Sequence, residues 1–211
     1  MTKPLPTVTL DPKNYHYALN QQCTISDLIW QYVQGVEDWW GVDWHTFYQD
    51  IPKDTDLFKQ DPVIAWFLAQ GWVLNFTCMP PKSHYRWHID TSGNRQTAIN
   101  LVLNQFDSSM AIWRAPGPWV RKTNSEILEL RYQPRTYYLF NTQEEHCVYN
   151  FGLENRYMLT LGPGERFAVP EYRDGLYNGS DFLYSTRRSE ILQGYKRAYG
   201  QVLGEIQAQG W

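Results

Sequence analysis

The residues best suited to do chemistry in this 211-residue chain are His88 and Asp90 of the triplet His88-Ile89-Asp90, together with His146 and Arg156. Two imidazoles and one carboxylate occupy one face of a ferrous ion and leave the opposite face open for exchangeable ligands, which is what oxygen chemistry requires. His88 and Asp90 stand two apart, a spacing that on a strand points both side chains to one side. His146 lies 58 residues beyond His88, and Arg156 ten beyond that. With five His in the chain, composition alone yields roughly 0.3 His-x-Asp triplets, so the triplet by itself carries little. Its weight comes from its setting. Each member falls in an aromatic and aliphatic segment bounded by turn formers: Tyr85 to Asp90, His146 to Asn150, and Arg156 to Leu161. A blander reading stays open for each residue alone, with hydrogen-bonded histidines in a cleft and Asp90 opening a turn with Thr91, Ser92 and Gly93.

The elements that must position these groups follow from periodicity. From Trp72 onward short apolar runs alternate with loop signals and predict eight strands: Val73 to Cys78, His84 to Asp90, Thr97 to Leu103, Met110 to Arg114, Glu126 to Tyr132, Thr136 to Phe140, His146 to Phe151 and Arg156 to Leu161. Pro80-Pro81, Ser92-Gly93-Asn94 and Ala115-Pro116-Gly117-Pro118 mark loops between them. Eight short strands with loops at both ends suit a jelly roll. The N-terminal third reads as extended and then largely helical. Ile25, Leu28, Ile29, Tyr32, Val33 and Val36 recur with helical spacing after a candidate cap at Thr24, and a short helix is expected from Pro62 to Gln70 with Gly71 as its stop. In the tail, Ser185 to Ala208 places Ile191, Leu192, Tyr195, Tyr199, Val202, Leu203 and Ile206 on one face of an amphipathic helix whose polar face mixes both charges, which favours packing over a membrane role. The fold class expected is mainly β with flanking helices (α+β) around a double-stranded β-helix, a cupin-like jelly roll. It forms one domain: a flank over 1–71, the core over 72–162, and a loop and helix over 163–211.

At these residues the chain resembles the non-haem iron, 2-oxoglutarate-dependent oxygenases. His88-x-Asp90, His146 and Arg156 are similar to that family's signature, and the segments Tyr85 to Asn104 and Tyr137 to Leu161 are most like its prolyl-hydroxylase-like and aspartyl/asparaginyl-hydroxylase-like branches. The resemblance spans roughly residues 72 to 162. It implies Fe(II) held by His88, Asp90 and His146, with 2-oxoglutarate and O2 as co-substrates. Oxidative decarboxylation would release succinate and CO2 and hydroxylate an unactivated C–H bond of an amino-acid side chain, a peptide or a small metabolite. The related halogenases replace the carboxylate with a small residue, and Asp90 argues against that chemistry.

The same resemblance gives Arg156 the distal carboxylate of 2-oxoglutarate, through a planar two-pronged contact that Lys cannot reproduce. Strand parity places Arg156, Met158 and Thr160 on one face, so the guanidinium points inward and Thr160 can add a hydroxyl. Asn100, sharing a side with Ala98 and Val102, is either a co-substrate contact or a satisfied core amide. Tyr85 reaches 2-oxoglutarate or substrate, or simply packs. Trp87 has the opposite parity to His88 and packs behind the site, whereas His84 and Arg86 share the parity of His88 and face the entrance, where Arg86 meets an anionic substrate group. Arg95 and Trp113 are substrate-pocket candidates from position alone. Cys147 alternates away from His146 and is expected buried and inert. Two readings of other classes stay open: a jelly-roll module that binds a ligand without turnover, and a metal-dependent cupin-type enzyme that uses no keto acid.

Composition narrows the partners. A formal net charge of −3 argues against nucleic acid as a partner, and the pair Arg187-Arg188 reads as a solvated helix start. Ten Trp and 15 Tyr are mostly packing surface. Cys23, Cys78 and Cys147 form neither a disulfide framework nor a zinc motif, no leader-like or membrane-length apolar run is present, and a soluble, cytoplasmic protein is expected.

Overall fold

The computed structural model describes residues 10–37, 39–43, 46–51, 55–90, 97–114, 127–164 and 188–211. In chain order the regular elements are β1 (His16–Gln22), α1 (Ser26–Gln34), β2 (Trp40–Asp43), β3 (Thr46–Ile51), α2 (Pro62–Ala69), β4 (Val73–Met79), β5 (Ser83–His88), β6 (Ala98–Val102), β7 (Ser109–Arg114), β8 (Ile127–Arg131), β9 (Thr136–Phe140), β10 (His146–Asn150), β11 (Arg156–Gly162) and α3 (Arg188–Ala208). All strand pairings are antiparallel. The large sheet runs β1-β9-β6-β11-β4-β3-β2 and the small one β5-β10-β7-β8. The eight strands expected from the sequence, β4 to β11, split four and four between the sheets. That division is the double-stranded β-helix, and the two sheets face each other as a jelly roll.

The alternation of side chains along each strand divides the interior in two. On the outer face of the large sheet, Phe76, Ile99, Leu101, Leu139, Leu159 and Leu161 are buried with Ile29 and Val33 of α1, Ile64 and Phe67 of α2, and Tyr199, Val202 and Ile206 of α3. A fully buried Leu or Phe is worth about 1.5–3 kcal/mol, so this helix-covered face is the main apolar core. Between the sheets, Val102, Tyr138 and Phe140 meet Ala111, Trp113 and Leu130 in a smaller cluster. No helix among the described residues is long and apolar enough to cross a membrane.

The N-terminal third departs from the largely helical expectation, because β1 pairs with β9 and the β2–β3 hairpin pairs with β4. These strands sit at or next to the sheet's edges. β1 carries Asn20, Gln21 and Gln22, a composition that conceals a strand from a search for apolar alternation. Thr24 does not cap α1: Ile25 holds that position without a side-chain bond. Thr24 instead donates its N–H and hydroxyl to Asp61 Oδ2, at 2.9 and 3.0 Å. Oδ1 of the fully buried Asp61 accepts the Val63 and Ile64 N–H groups at 3.0 and 3.1 Å, so one carboxylate caps α2 and ties it to the start of α1. Gly71 ends α2 with φ +82°, a conformation that suits glycine. Of the apolar face expected on α3, the side chains of Ile191, Leu192 and Tyr195 lie outside the described residues. So do the Arg187-Arg188 side chains, the loops at Ser92-Gly93-Asn94 and Ala115-Pro116-Gly117-Pro118, and Arg95.

Asn150 joins the turns at one end of the barrel. Fully buried, it donates its amide to the carbonyls of Met79, Pro80 and Glu154 at 3.1, 2.9 and 2.9 Å, and accepts the Gly152 N–H at 3.0 Å. This fastens the end of β4 to the β10–β11 turn and thereby fixes the start of β11, where Arg156 pairs with Met79. A Cβ at Gly152 would push on the Gln105 and Ser108 side chains, which would have to shift to admit it. Asn150→Ala is expected to lower stability by about 2–4 kcal/mol, because three buried carbonyls lose a donor. Urea unfolding checks it, and a loss under about 0.5 kcal/mol would contradict the joining role.

Candidate metal centre and adjoining cavity

His88, the last residue of β5, lies directly opposite His146, the first of β10. Two residues earlier the register slips: Tyr85 pairs with Val148, so Arg86 and Trp87 together face the single residue Cys147. The slip changes which side chains point inward. Tyr85 and His88 face the interior although three apart, and Trp87 packs behind the site on Met110, Ile112 and Cys147. His84 pairs with Tyr149 and stacks on its ring at 5.5 Å, on the outside of the small sheet. Arg86 is exposed and does not line the cavity, contrary to simple alternation from His88. Its backbone has a different role, because the Arg86 carbonyl accepts from His88 Nδ1 at 2.7 Å.

His146 makes the matching bond, Nδ1 to the Glu144 carbonyl at 2.9 Å. A carbonyl oxygen only accepts, so both rings carry their proton on Nδ1 and turn an Nε2 lone pair toward the interior. Asp90 is held by its backbone: its N–H donates to the Thr142 carbonyl at 3.0 Å, and its own carbonyl accepts from Gln143 Nε2 at 2.9 Å. His88 Nε2 then lies 3.2 Å from Asp90 Oδ1, and one ligand atom from each of His88, Asp90 and His146 falls within 4.8 Å of the others. Two acceptors that close repel unless a proton or a cation sits between them. The donor set of two imidazoles and one carboxylate fits a divalent first-row metal, and both second ring nitrogens are already oriented by backbone carbonyls, as metal-binding histidines usually are.

Beside the triad opens a cavity of about 70 Å³, lined also by Thr77, Tyr85, Asn100, Tyr132, Arg156 and Thr160. Arg156, also in its lining, is 2% exposed. The guanidinium carbon lies 5.0 Å from the Tyr132 ring centre, Nη2 donates to Met158 Sδ at 3.3 Å, and Nε has no hydrogen bond. No carboxylate among the described residues pairs with it. Burial lowers the guanidinium's pKa, yet an arginine stays charged in proteins. Burial likewise raises the Tyr132 phenol, so that neighbour is neutral and no counter-ion. A buried cation without a protein anion calls for a ligand that brings one.

Thr160 Oγ1 donates to Asn100 Oδ1 at 3.0 Å, which commits the Asn100 oxygen and leaves its amide nitrogen as the end for the cavity. Trp113 is fully buried, donates Nε1 to the Asn141 carbonyl at 3.3 Å, and packs at a tilt against Phe140 (4.5 Å between ring centres) and His146 (6.4 Å), so it supports His146 and is not among the residues lining the cavity. Cys147 is buried, its thiol pKa is raised by burial, and Sγ donates to the Tyr85 carbonyl at 2.7 Å. Thr77, Met79, Tyr132, Phe140, Thr142 and Val148 also line the cavity and were not singled out from the sequence. Thr77 carried a readable signal, a polar residue in an apolar strand, the same that marked Asn100.

No protein-family model matches the sequence, and no curated protein matches it. Solved structures do. A 2OG-Fe(II) oxygenase-family oxidoreductase from Burkholderia pseudomallei superposes with TM-score 0.52 at 9% identity, over 80% of this chain and 98% of that one. A prolyl hydroxylase from Trichoplax adhaerens gives 0.53 at 15% identity, over 78% and 88%. The non-haem α-ketoglutarate-dependent epimerase of nogalamycin biosynthesis gives 0.50 at 9%, over 72% and 78%. The fold is that of the 2-oxoglutarate-dependent iron oxygenases.

One divalent ion per chain is expected at the triad. Outer partners of metal ligands are worth about 10–100-fold in affinity, so His88→Ala or His146→Ala should weaken Mn(II) binding at least about a hundredfold, while His84→Ala leaves it unchanged. Equal losses in all three, by calorimetry, would contradict the assignment.

Proposed function

We propose that this protein is an Fe(II)- and 2-oxoglutarate-dependent dioxygenase that hydroxylates an unactivated C–H bond of an amino-acid side chain, a peptide or another small metabolite. The observation that carries the reading is the buried Arg156, with no carboxylate partner among the described residues, lining the same cavity as His88, Asp90 and His146. A metal site alone fits many chemistries, and a buried guanidinium alone fits many anions. The two lining one cavity suit a short keto acid with a second carboxylate.

In this reading His88, Asp90 and His146 hold Fe(II), which with 2-oxoglutarate and O2 supplies the oxidising power and yields succinate, CO2 and the hydroxylated product. The chain's own part is positioning. The Nδ1 bonds to the Arg86 and Glu144 carbonyls keep both imidazoles neutral at Nε2 and fixed in rotation. Arg156 fixes the distal carboxylate, with the Tyr132 ring covering a face of the guanidinium, and Asn100 and Tyr85 line the path between. The apolar side chains of Met79, Val148 and Met158 in the cavity lining limit water there. The Trichoplax prolyl hydroxylase was solved with a hypoxia-inducible-factor peptide, which supports a peptide or amino-acid side chain as substrate class. A reducing, cytoplasmic setting accords with three buried free thiols.

The test is succinate formation by iron-loaded protein from 2-oxoglutarate, with a panel of amino acids and peptides as stimulants. His88→Ala is expected to abolish it. Arg156→Lys keeps the charge but loses the two-pronged contact, and the KM for 2-oxoglutarate should rise at least about tenfold. Turnover equal to wild type in both variants would refute the proposal.

A further inference from the structure

β4 runs beside β11, and its register sets Met79 opposite Arg156 and Thr77 opposite Met158. Residues opposite one another share a face, so Thr77 belongs to the inner surface that carries the guanidinium. It is 6% exposed, it lines the cavity, and its hydroxyl oxygen has no hydrogen-bond partner. The neighbouring backbone does not relieve it, because β4 is committed to β3 on one side and β11 on the other. A strand position in an apolar sheet favours a β-branched shape, but valine supplies that shape without an unpaired buried hydroxyl. The hydroxyl is therefore unexplained by folding.

The groups around it explain it. Arg156 Nε is also without a partner, and the guanidinium otherwise meets only neutral groups, the Met158 sulfur and the Tyr132 phenol, neither of which balances its charge. The Tyr132 ring lies over the guanidinium, so a planar ligand meets the guanidinium at its edge. Among the described residues the cavity thus presents donors around Arg156, and no acidic side chain pairs with it. One carboxylate offers about four lone-pair sites, more than a single guanidinium contact uses. We propose that Thr77 donates a second hydrogen bond to the carboxylate held by Arg156, making it a co-substrate-binding residue. The inference rests on the reading of that carboxylate as the distal group of 2-oxoglutarate. It adds selectivity: a keto acid without a distal carboxylate gains nothing from Thr77.

The experiment titrates 2-oxoglutarate into the full chain loaded with Mn(II), without oxygen, by calorimetry, for wild type, Thr77→Val and Thr77→Ser. Thr77→Val is expected to melt at or above the wild-type temperature without 2-oxoglutarate, because it removes an unpaired buried group. It should bind Mn(II) as wild type does and raise the Kd for 2-oxoglutarate about ten- to a hundredfold, the worth of a hydrogen bond to a charged group. Thr77→Ser should return to within about threefold of wild type by restoring the hydroxyl. A Thr77→Val that binds 2-oxoglutarate as tightly as wild type overturns the role of Thr77 and leaves the Arg156 reading standing. Loss of Mn(II) affinity together with 2-oxoglutarate affinity marks a packing role and overturns it too. Wild-type protein that binds Mn(II) but no 2-oxoglutarate overturns the proposed function, and this inference with it.

Discussion

The pairing of β5 with β10 is the constraint on which the site depends. It places His88 opposite His146, and the register slip just before them turns Tyr85 inward and Arg86 outward. Without the slip, simple alternation would point Arg86 into the barrel, and the Arg86 carbonyl that orients His88 would be differently placed. The two histidines also hold each other, with ring centres 4.2 Å apart, while Tyr85 flanks His88 at 4.3 Å and Phe140 flanks His146 at 5.1 Å. The β9–β10 turn brings in the third member through its bonds to the Asp90 backbone. Two stretches distant in sequence, 88–90 and 142–146, are thus fixed to each other largely through backbone hydrogen bonds.

A barrel with a polar interior needs its stability from elsewhere. Here β11 serves both ends of that problem, because Leu159 and Leu161 face the helix-covered core while Arg156, Met158 and Thr160 face the cavity. The same division holds on β6, where Ile99 and Leu101 lie against the core and Asn100 points inward. Each buried aliphatic side chain contributes about 1.5–3 kcal/mol, comparable to what an unpaired buried hydroxyl costs, about 1–3 kcal/mol. The outer core therefore offsets the cost of carrying the unpaired Thr77 hydroxyl and Arg156 Nε. The flanking helices are remote from the triad, yet they are what allows its cavity to stay polar.

Much of this was readable from the residues. Short apolar runs between loop signals located all eight barrel strands to within about two residues. His88-x-Asp90 was visible as a motif, and the inward parity of Arg156, Met158 and Thr160 followed from β11 being regular. The errors arose where regularity fails. Arg86 and His84 were placed inward because a bulge leaves no mark in residue types. Trp113 suggested a pocket wall by position, but its parity with His146 in the paired strand makes it the floor beneath that ring. β1 to β3 escaped notice as short strands at the margin of the sheet, rich in amides or lacking alternation. Tyr132 could not have been found, since its place over Arg156 depends on β8 and β11 approaching across the barrel, a contact between sheets with no sequence spacing of its own.

The most direct measurement is a crystal structure of the protein grown without oxygen with Mn(II) and 2-oxoglutarate. The account predicts one metal ion bound by Nε2 of His88, Nε2 of His146 and the Asp90 carboxylate, with the distal carboxylate of the keto acid against the Arg156 guanidinium. Metal bound through Nδ1 or away from these residues, or 2-oxoglutarate ordered with no contact to Arg156, would contradict it.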